Sequence, residues 1–426
     1  MTTPSWIPVA VFALCYALFV ALPRWRSVIA CAGAVLLVLT GQVGPREAVA
    51  DMVQWNVVGL FFGTLILAEL FMLSRMPAVM AEWLVCKTRT ARGAMLAICA
   101  LSSFLSMFAE NVAVVLLIAP VALSLAKRLE VSPVRLMIGI AVCSNLQGTA
   151  TLIGDPPSMI LAGYMKMNFN DFFIYQGKPG IFFAVQIGAI ASLLVLAWLF
   201  RGHREATATV EKEQPRSWIP SILMIVLIVG LATASNIDPE FQWFAGTFTL
   251  FLAAVGLAWY WFGPHWTSIR RMFKELDWDT TLFLIGVFIL VGGLSESGWL
   301  DVLANWIAAS VGSHLAGAFI TITLVAVIVS GFVDNVPFLL AMIPVVQRVA
   351  DSMGVAVPLL MFGLLIGACL GGNITPIGAS ANIVTMGILK KQGHVVSFRE
   401  FMAIGIPFTI AAVTAACLFV WWVWAG

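Results

Sequence analysis

Charged side chains are scarce in this 426-residue chain: they make up 10% of it, against 61% apolar residues. Soluble domains carry about 25% charged residues, so a water-solvated globule is excluded and the membrane is the solvent. Net charge is +2. No stretch combines basic and aromatic residues strongly enough to suggest a nucleic-acid partner. The seven cysteines are scattered through apolar segments without a CxxC pair, which leaves neither a disulfide framework nor a zinc site to expect. The four histidines fall at loop positions, so no histidine metal site and no cofactor is expected. A P-loop is absent, which excludes a primary pump in this chain alone and leaves room only for a separate ATPase partner. The GxGD and HExxH signatures of intramembrane proteases are absent as well, which argues against an enzyme.

What the chain has instead is long apolar runs. Full spans are expected at 5–22, 27–43, 54–74, 133–165, 180–200, 217–235, 241–262, 279–296, 357–389 and 402–424, each near the ~20 residues needed to cross a bilayer. The first run has no basic residue before it, and Arg24 and Arg26 follow it, so it reads as a retained span rather than a cleaved signal. Two further apolar regions, 93–127 and 315–348, carry a polar tip midway and read as hairpins that leave on the side they entered. Short helices are expected at 77–86 and 300–310. With this threading, 19 of the 23 Lys and Arg residues fall in inside loops and 4 in outside loops. The positive-inside rule favours it, and it puts both termini outside the inner membrane. Trp6, Trp83, Trp218, Trp421 and Trp422 suit anchoring among lipid headgroups.

The halves repeat. Ser5-Trp6-Ile7-Pro8 recurs at Ser217-Trp218-Ile219-Pro220. Trp55, Gly63 and Trp83 recur as Trp278, Gly286 and Trp306; Phe108, Glu110, Asn111 and Pro120 recur as Phe332, Asp334, Asn335 and Pro344; Thr151, Ile153 and Gly154 recur as Thr375, Ile377 and Gly378. The offset holds at 223 or 224 through the last three groups. The fold class is therefore an all-α polytopic membrane protein of two inverted repeats, about ten spans plus two hairpins. Residues 1–200 form the first repeat, 201–216 a polar cytoplasmic linker and 217–426 the second repeat. Inverted repeats with interrupted spans point to a transporter whose site lies near the midplane.

Interruption is concentrated in two stretches, Gly148–Pro157 (GTATLIGDPP) and Gly372–Asn382 (GNITPIGASAN). Gly costs about 1 and Pro about 3 kcal/mol in a helix interior, so an intact span has no use for them. Backbone freed there must be satisfied by protein or a wet cavity. Around the breaks and hairpin tips lie the candidate solute ligands Asn111, Asn145, Gln147, Thr149, Thr151, Asn335, Asn373, Thr375, Ser380 and Asn382. Glu110, Asp155 and Asp334 are the candidate proton carriers. A carboxylate at the bilayer centre costs roughly 2.5–3.5 kcal/mol, so a matched pair facing lipid is improbable; two plain spans, each with a neutral hydrogen-bonded acid, is the alternative to hairpins. Asp155-Pro156-Pro157 also reads as a rigid turn with Asp155 capping the next half-helix.

The motifs FAENVAVVLLIAP, SNLQGTATLIGDPPSMI, FVDNVPFLLAMIP and GGNITPIGASANIV resemble the ion transporter superfamily, and within it the arsenite-efflux permease (ArsB-type) and melanosomal pigment-permease branch. The resemblance implies re-entrant hairpins, midplane sites, an elevator-like movement and a scaffold homodimer. The function it suggests is secondary export of arsenite or antimonite in exchange for protons. A sodium/proton antiporter is the alternative, since paired carboxylates beside Asn and Thr also make a cation site. A dianion suits these tips poorly, because added carboxylates repel it. Trivalent arsenic also likes thiolates, which brings Cys143 and Cys369, just before the two breaks, into question as ligands.

The threading makes a direct prediction. A reporter active only in the cytoplasm should work when inserted at 201–216 and be silent when fused after Gly426; the reverse pattern would overturn the orientation.

Overall fold

The computed structural model describes residues 5–202, 214–263, 268–300, 302, 304 and 314–426. Most of the expected linker at 201–216 and of the helix expected at 300–310 lies outside the described residues. The first half runs α1 (Trp6–Ala21), α2 (Arg26–Leu39), α3 (Trp55–Leu73), α4 (Met76–Lys87), α5 (Ala91–Ser106), α6 (Asn111–Arg128), α7 (Val134–Gly148), α8 (Pro156–Met165) and α9 (Ile181–Leu199). The second runs α10 (Ile219–Thr233), α11 (Phe244–Phe262), α12 (Ile269–Glu275), α13 (Trp278–Glu296), α14 (Leu315–Ser330), α15 (Asn335–Met353), α16 (Val357–Gly371), α17 (Ser380–Lys391) and α18 (Phe398–Trp424). A helical turn at Pro45–Glu47 precedes α3. Among the described residues the sole sheet is the two-stranded antiparallel pair β1 (Ile174–Tyr175) and β2 (Lys178–Pro179) between α8 and α9.

Among the described residues, nine helical segments are long and apolar enough to cross a membrane. The repeat is visible element by element: α13, α14, α15, α16 and α17 begin 223 or 224 residues after α3, α5, α6, α7 and α8. Packing follows the same relation, within each half for one matched pair of crossings and between halves for the others. Helix α2 lies along α13 and α11 along α3; α5 lies along α7 and α14 along α16; α9 and α18 lie along each other. The repeated glycines Gly63 and Gly286 sit at close approaches within two of these crossings. A Cβ on Gly63 would stand 2.9 Å from the Thr249 carbonyl carbon, and one on Gly286 2.7 Å from that of Ala30. Without a hydrophobic drive inside lipid, helices associate through such close approach.

Both expected breaks are present, and local chemistry explains them. Helix α7 stops at Gly148, and Pro156 and Pro157 fill the first turn of α8, where a missing donor is harmless. Helix α16 stops at Gly371, passes through a tight turn at Gly372–Ile374 and resumes at Ser380. The hairpins end at Arg128 and Met353, one and five residues beyond the expected 127 and 348; their second legs, α6 and α15, are 18 and 19 residues, or about 27 Å at 1.5 Å per residue, so each leg is nearly a full-length helix. What fixes the depth of each tip is the break it rests on.

That contact leaves no room for a side chain. A Cβ at Gly154 would lie 2.5 Å from the Gly148 carbonyl oxygen and 2.7 Å from that of Ser106, and one at Gly378 would lie 2.6 Å and 2.9 Å from those of Gly372 and Gly331. All four obstacles are backbone atoms. Gly154→Ala and Gly378→Ala should each destabilise the protein by about 1–3 kcal/mol, the range for overpacking, seen as a lowered melting temperature in detergent. An unchanged melting temperature in both would contradict the tip-on-break geometry.

Candidate functional site

Each hairpin tip ends in a carboxylate that caps the following helix. Glu110 accepts from the Ala113 N–H at 3.0 Å, and Asp334 accepts from the Val336 N–H at 3.0 Å. The cap satisfies a donor that the helix cannot, and it sets negative charge against the positive end of the helix dipole. Hydroxyls then fasten each tip to its own break. Thr151 donates to the Met107 carbonyl and Thr375 to the Gly331 carbonyl. Beside them, the Ser106 and Ser144 hydroxyls bond each other, and Ser330 donates to the Ala368 carbonyl. One amide joins the two breaks: Asn145 Nδ2 donates to Asn373 Oδ1 at 2.8 Å and to Asn382 Oδ1 at 3.0 Å.

Between tips and breaks lies a cavity with about 50 Å³ open to the centres of water molecules, lined by Glu110, Asn111, Asn145 and Asp155 from the first half and by Asp334, Asn335 and Ser380 from the second. A polar cavity of that size holds water. The other expected ligands are buried but do not line it. Gln147 exchanges two 3.0 Å hydrogen bonds with Gln186. Asn373 donates to the Val142 carbonyl at 3.2 Å, and Asn382 to the Gly372 and Thr375 carbonyls at 2.9 Å. These amides, with Thr151 and Thr375, hold the walls rather than face the opening. Thr149 Oγ1 and Asn111 Oδ1 are buried without a hydrogen-bond partner, and of the two only Asn111 reaches the cavity. Asp155 begins α8 at its N-cap position but caps none of its N–H groups; its side chain faces the cavity instead. Cys143 and Cys369 are buried and do not line the cavity.

Sequence reasoning missed a charged group that completes the wall. Arg26, counted among loop cations, opens α2 and points into the cavity. Its Nε donates to Asp279 at 2.7 Å, its Nη1 to Asp334 at 2.6 Å and its Nη2 to Thr280 Oγ1 at 2.7 Å. Asp277 caps α13 through the Thr280 N–H at 2.9 Å and also lines the cavity. The signal was available: at the repeat offset of 223, the positions of Asp277 and Asp279 match Gln54 and Asn56, so one half has gained two charges that the other lacks.

The arrangement is that of a membrane transporter, two interlocked repeats around a small polar cavity walled by interrupted helices. Solved structures agree on the fold. The YdaH transporter of Alcanivorax borkumensis superposes with a TM-score of 0.59 at 12% identity, over 91% of this chain and 88% of that one. MtrF of Neisseria gonorrhoeae does so with a TM-score of 0.58 at 12% identity, over 91% and 84%. The chain belongs to the CitMHS citrate transporter family, matched over residues 16–357 and 241–426. A Mycobacterium tuberculosis relative described as an uncharacterized transporter is 27% identical over 98% of both chains. The P protein of Homo sapiens is 24% identical over 96% of this chain, which spans 58% of that protein's length.

Asn145 is the amide on which both breaks converge. Asn145→Ala strands two buried carbonyl oxygens, which costs about 1–3 kcal/mol, and should lower the melting temperature. Asn145→Asp, which replaces the donor with an acceptor facing two acceptors, should lower it further. Equal stability of both variants and the wild type would remove this bridge from the fold's support.

Proposed function

We propose that this chain exports arsenite or antimonite across the cytoplasmic membrane in exchange for protons, as the ArsB-type branch of the superfamily does. The observation that carries the reading is the composition of the cavity wall: four carboxylates (Glu110, Asp155, Asp277, Asp334) stand with one guanidinium and several uncharged amides and hydroxyls. Crowded carboxylates in a poorly solvated site repel one another unless a proton or cation lies between them, and they repel an organic polyanion. Arsenite near neutral pH is the uncharged trihydroxide, small and rich in donors and acceptors. Asn111, Asn145, Asn335 and Ser380 present partners of that kind. An uncharged solute cannot be driven uphill by voltage, so its export needs a charged co-reactant. Protons carried among Glu110, Asp155 and Asp334 supply it: one conformation binds the solute, the other the proton, and the site alternates sides.

The same carboxylates also suit a sodium/proton antiporter, and one experiment separates the readings. In proteoliposomes, an arsenite gradient should drive proton flux through the wild type; sodium-driven proton flux without an arsenite response would replace the first reading with the second. Glu110→Gln and Asp155→Asn, both near-isosteric, should lower coupled flux at least tenfold while leaving a folded protein. Full flux in both would take these residues out of the mechanism.

A further inference from the structure

The two halves are alike in backbone and unlike in charge, and the difference sits at one crossing. Where α2 meets α13, Arg26 reaches Asp279, Thr280 and the tip carboxylate Asp334. At the matching crossing of α11 with α3, the corresponding positions are neutral. Asn56 takes the place of Asp279 and spends its amide on backbone, donating to the Phe241 carbonyl at 2.8 Å and accepting from the Gly246 N–H at 2.7 Å. Helix α11 begins at Phe244 and brings no cation.

The tip acids inherit this difference. Asp334 has a guanidinium nitrogen 2.6 Å away, on a side chain only 17% exposed. Glu110, its counterpart, is held by the Ala113 N–H, and among the described residues no ion pair reaches Glu110 or Asp155. Those two carboxylates also share a second, small pocket whose wall is mostly apolar, with Phe61, Leu65, Ile153 and Met159. Two matched anionic positions therefore face one cavity: at one Arg26 is directly bonded, its charge shared between Asp334 and Asp279, and at the other Arg26 acts only at longer range.

The geometry points to Arg26 as a tethered counter-cation: it fills permanently, at Asp334, the place that at Glu110 and Asp155 is left for an ion from solution. This rests on the ion-coupled reading above and narrows its three candidate carriers to two. Exchangeable charge is taken up at Glu110 and Asp155, while Asp334 serves as a fixed anchor for the second tip. The other ionisable groups are shared between the two sides: Asp279 divides the guanidinium with Asp334, Asp277 lies near both Arg26 and Glu110, Asp155 faces Glu110 and Asp334, and Tyr16 lies near Asp334 without contributing a cation. Arg26 is thus a positioning residue for the coupling chemistry and the source of its one-sidedness. Like charges left together in low dielectric demand a proton or a metal ion, so removing Arg26 should create a second ion-binding position.

The test needs no knowledge of the solute. Melting temperatures of the purified full-length protein in detergent are measured against sodium chloride, with choline chloride holding ionic strength constant, and separately against pH. Arg26→Gln should gain stability with added sodium or with falling pH beyond the wild-type response, its half-point displaced about tenfold in ion activity, the scale of one lost charge partner. Arg26→Gln/Asp334→Asn should return to the wild-type response, and Arg26→Lys should stay close to it. An Arg26→Gln response identical to the wild type, or a double variant that keeps the excess, overturns the inference. Should Arg26→Gln fail to fold, the single acid variants decide. Asp334→Asn should retain the wild-type ion response while Glu110→Gln flattens it; equal flattening by both overturns the inference. Absence of arsenite-driven flux would sink the solute assignment and leave these ion titrations intact.

Discussion

A helix interrupted inside hydrocarbon releases backbone donors and acceptors that no solvent will take, and this structure is arranged around finding them partners. Each break rests against a hairpin tip, and the tip's carbonyls receive hydroxyls from the break: Thr151 to Met107, Thr375 to Gly331. Each tip acid in turn caps the helix that leaves it. Because unsatisfied groups at this depth cost several kcal/mol each, the pieces are mutually required, and Gly154 and Gly378 are glycines because the contact is backbone on backbone.

The same constraint turns structure into a site. Side chains that close the breaks face inward on themselves, as Asn373, Asn382 and Thr375 do, and those left at the edge of the seam face the cavity. Interlocking of the repeats brings both seams to one place. Helix α2 leans on α13 and α11 on α3, so residues more than two hundred positions apart share a wall. Asn145 then ties break to break. The cavity belongs to both halves.

Much of this was legible along the chain. The Gly and Pro clusters marked both interruptions, and the steady offset of Glu110, Thr151 and Gly154 from Asp334, Thr375 and Gly378 marked the repeat. Seven of the thirteen expected site residues line the cavity. The other six are built into its walls, because an amide beside a break can as easily mend the backbone as meet a solute, and spacing carries no information about which. The second hairpin legs are nearly as long as full spans, and an apolar count cannot tell a leg that stops at a buried tip from a full span. Arg26 was hidden by its position at a span end, where cations are ordinarily loop residues.

The sequence by itself determined the solvent, the repeat, the two breaks and the acids at the tips, because composition, periodicity and helix-breaking residues act locally and need no partner to be read. Only the tertiary structure decided which acid has a cation. That choice depends on α2 of one repeat crossing α13 of the other, which brings Arg26 to Asp334, 308 positions away at the start of α15, and no local rule specifies where distant helix ends will meet.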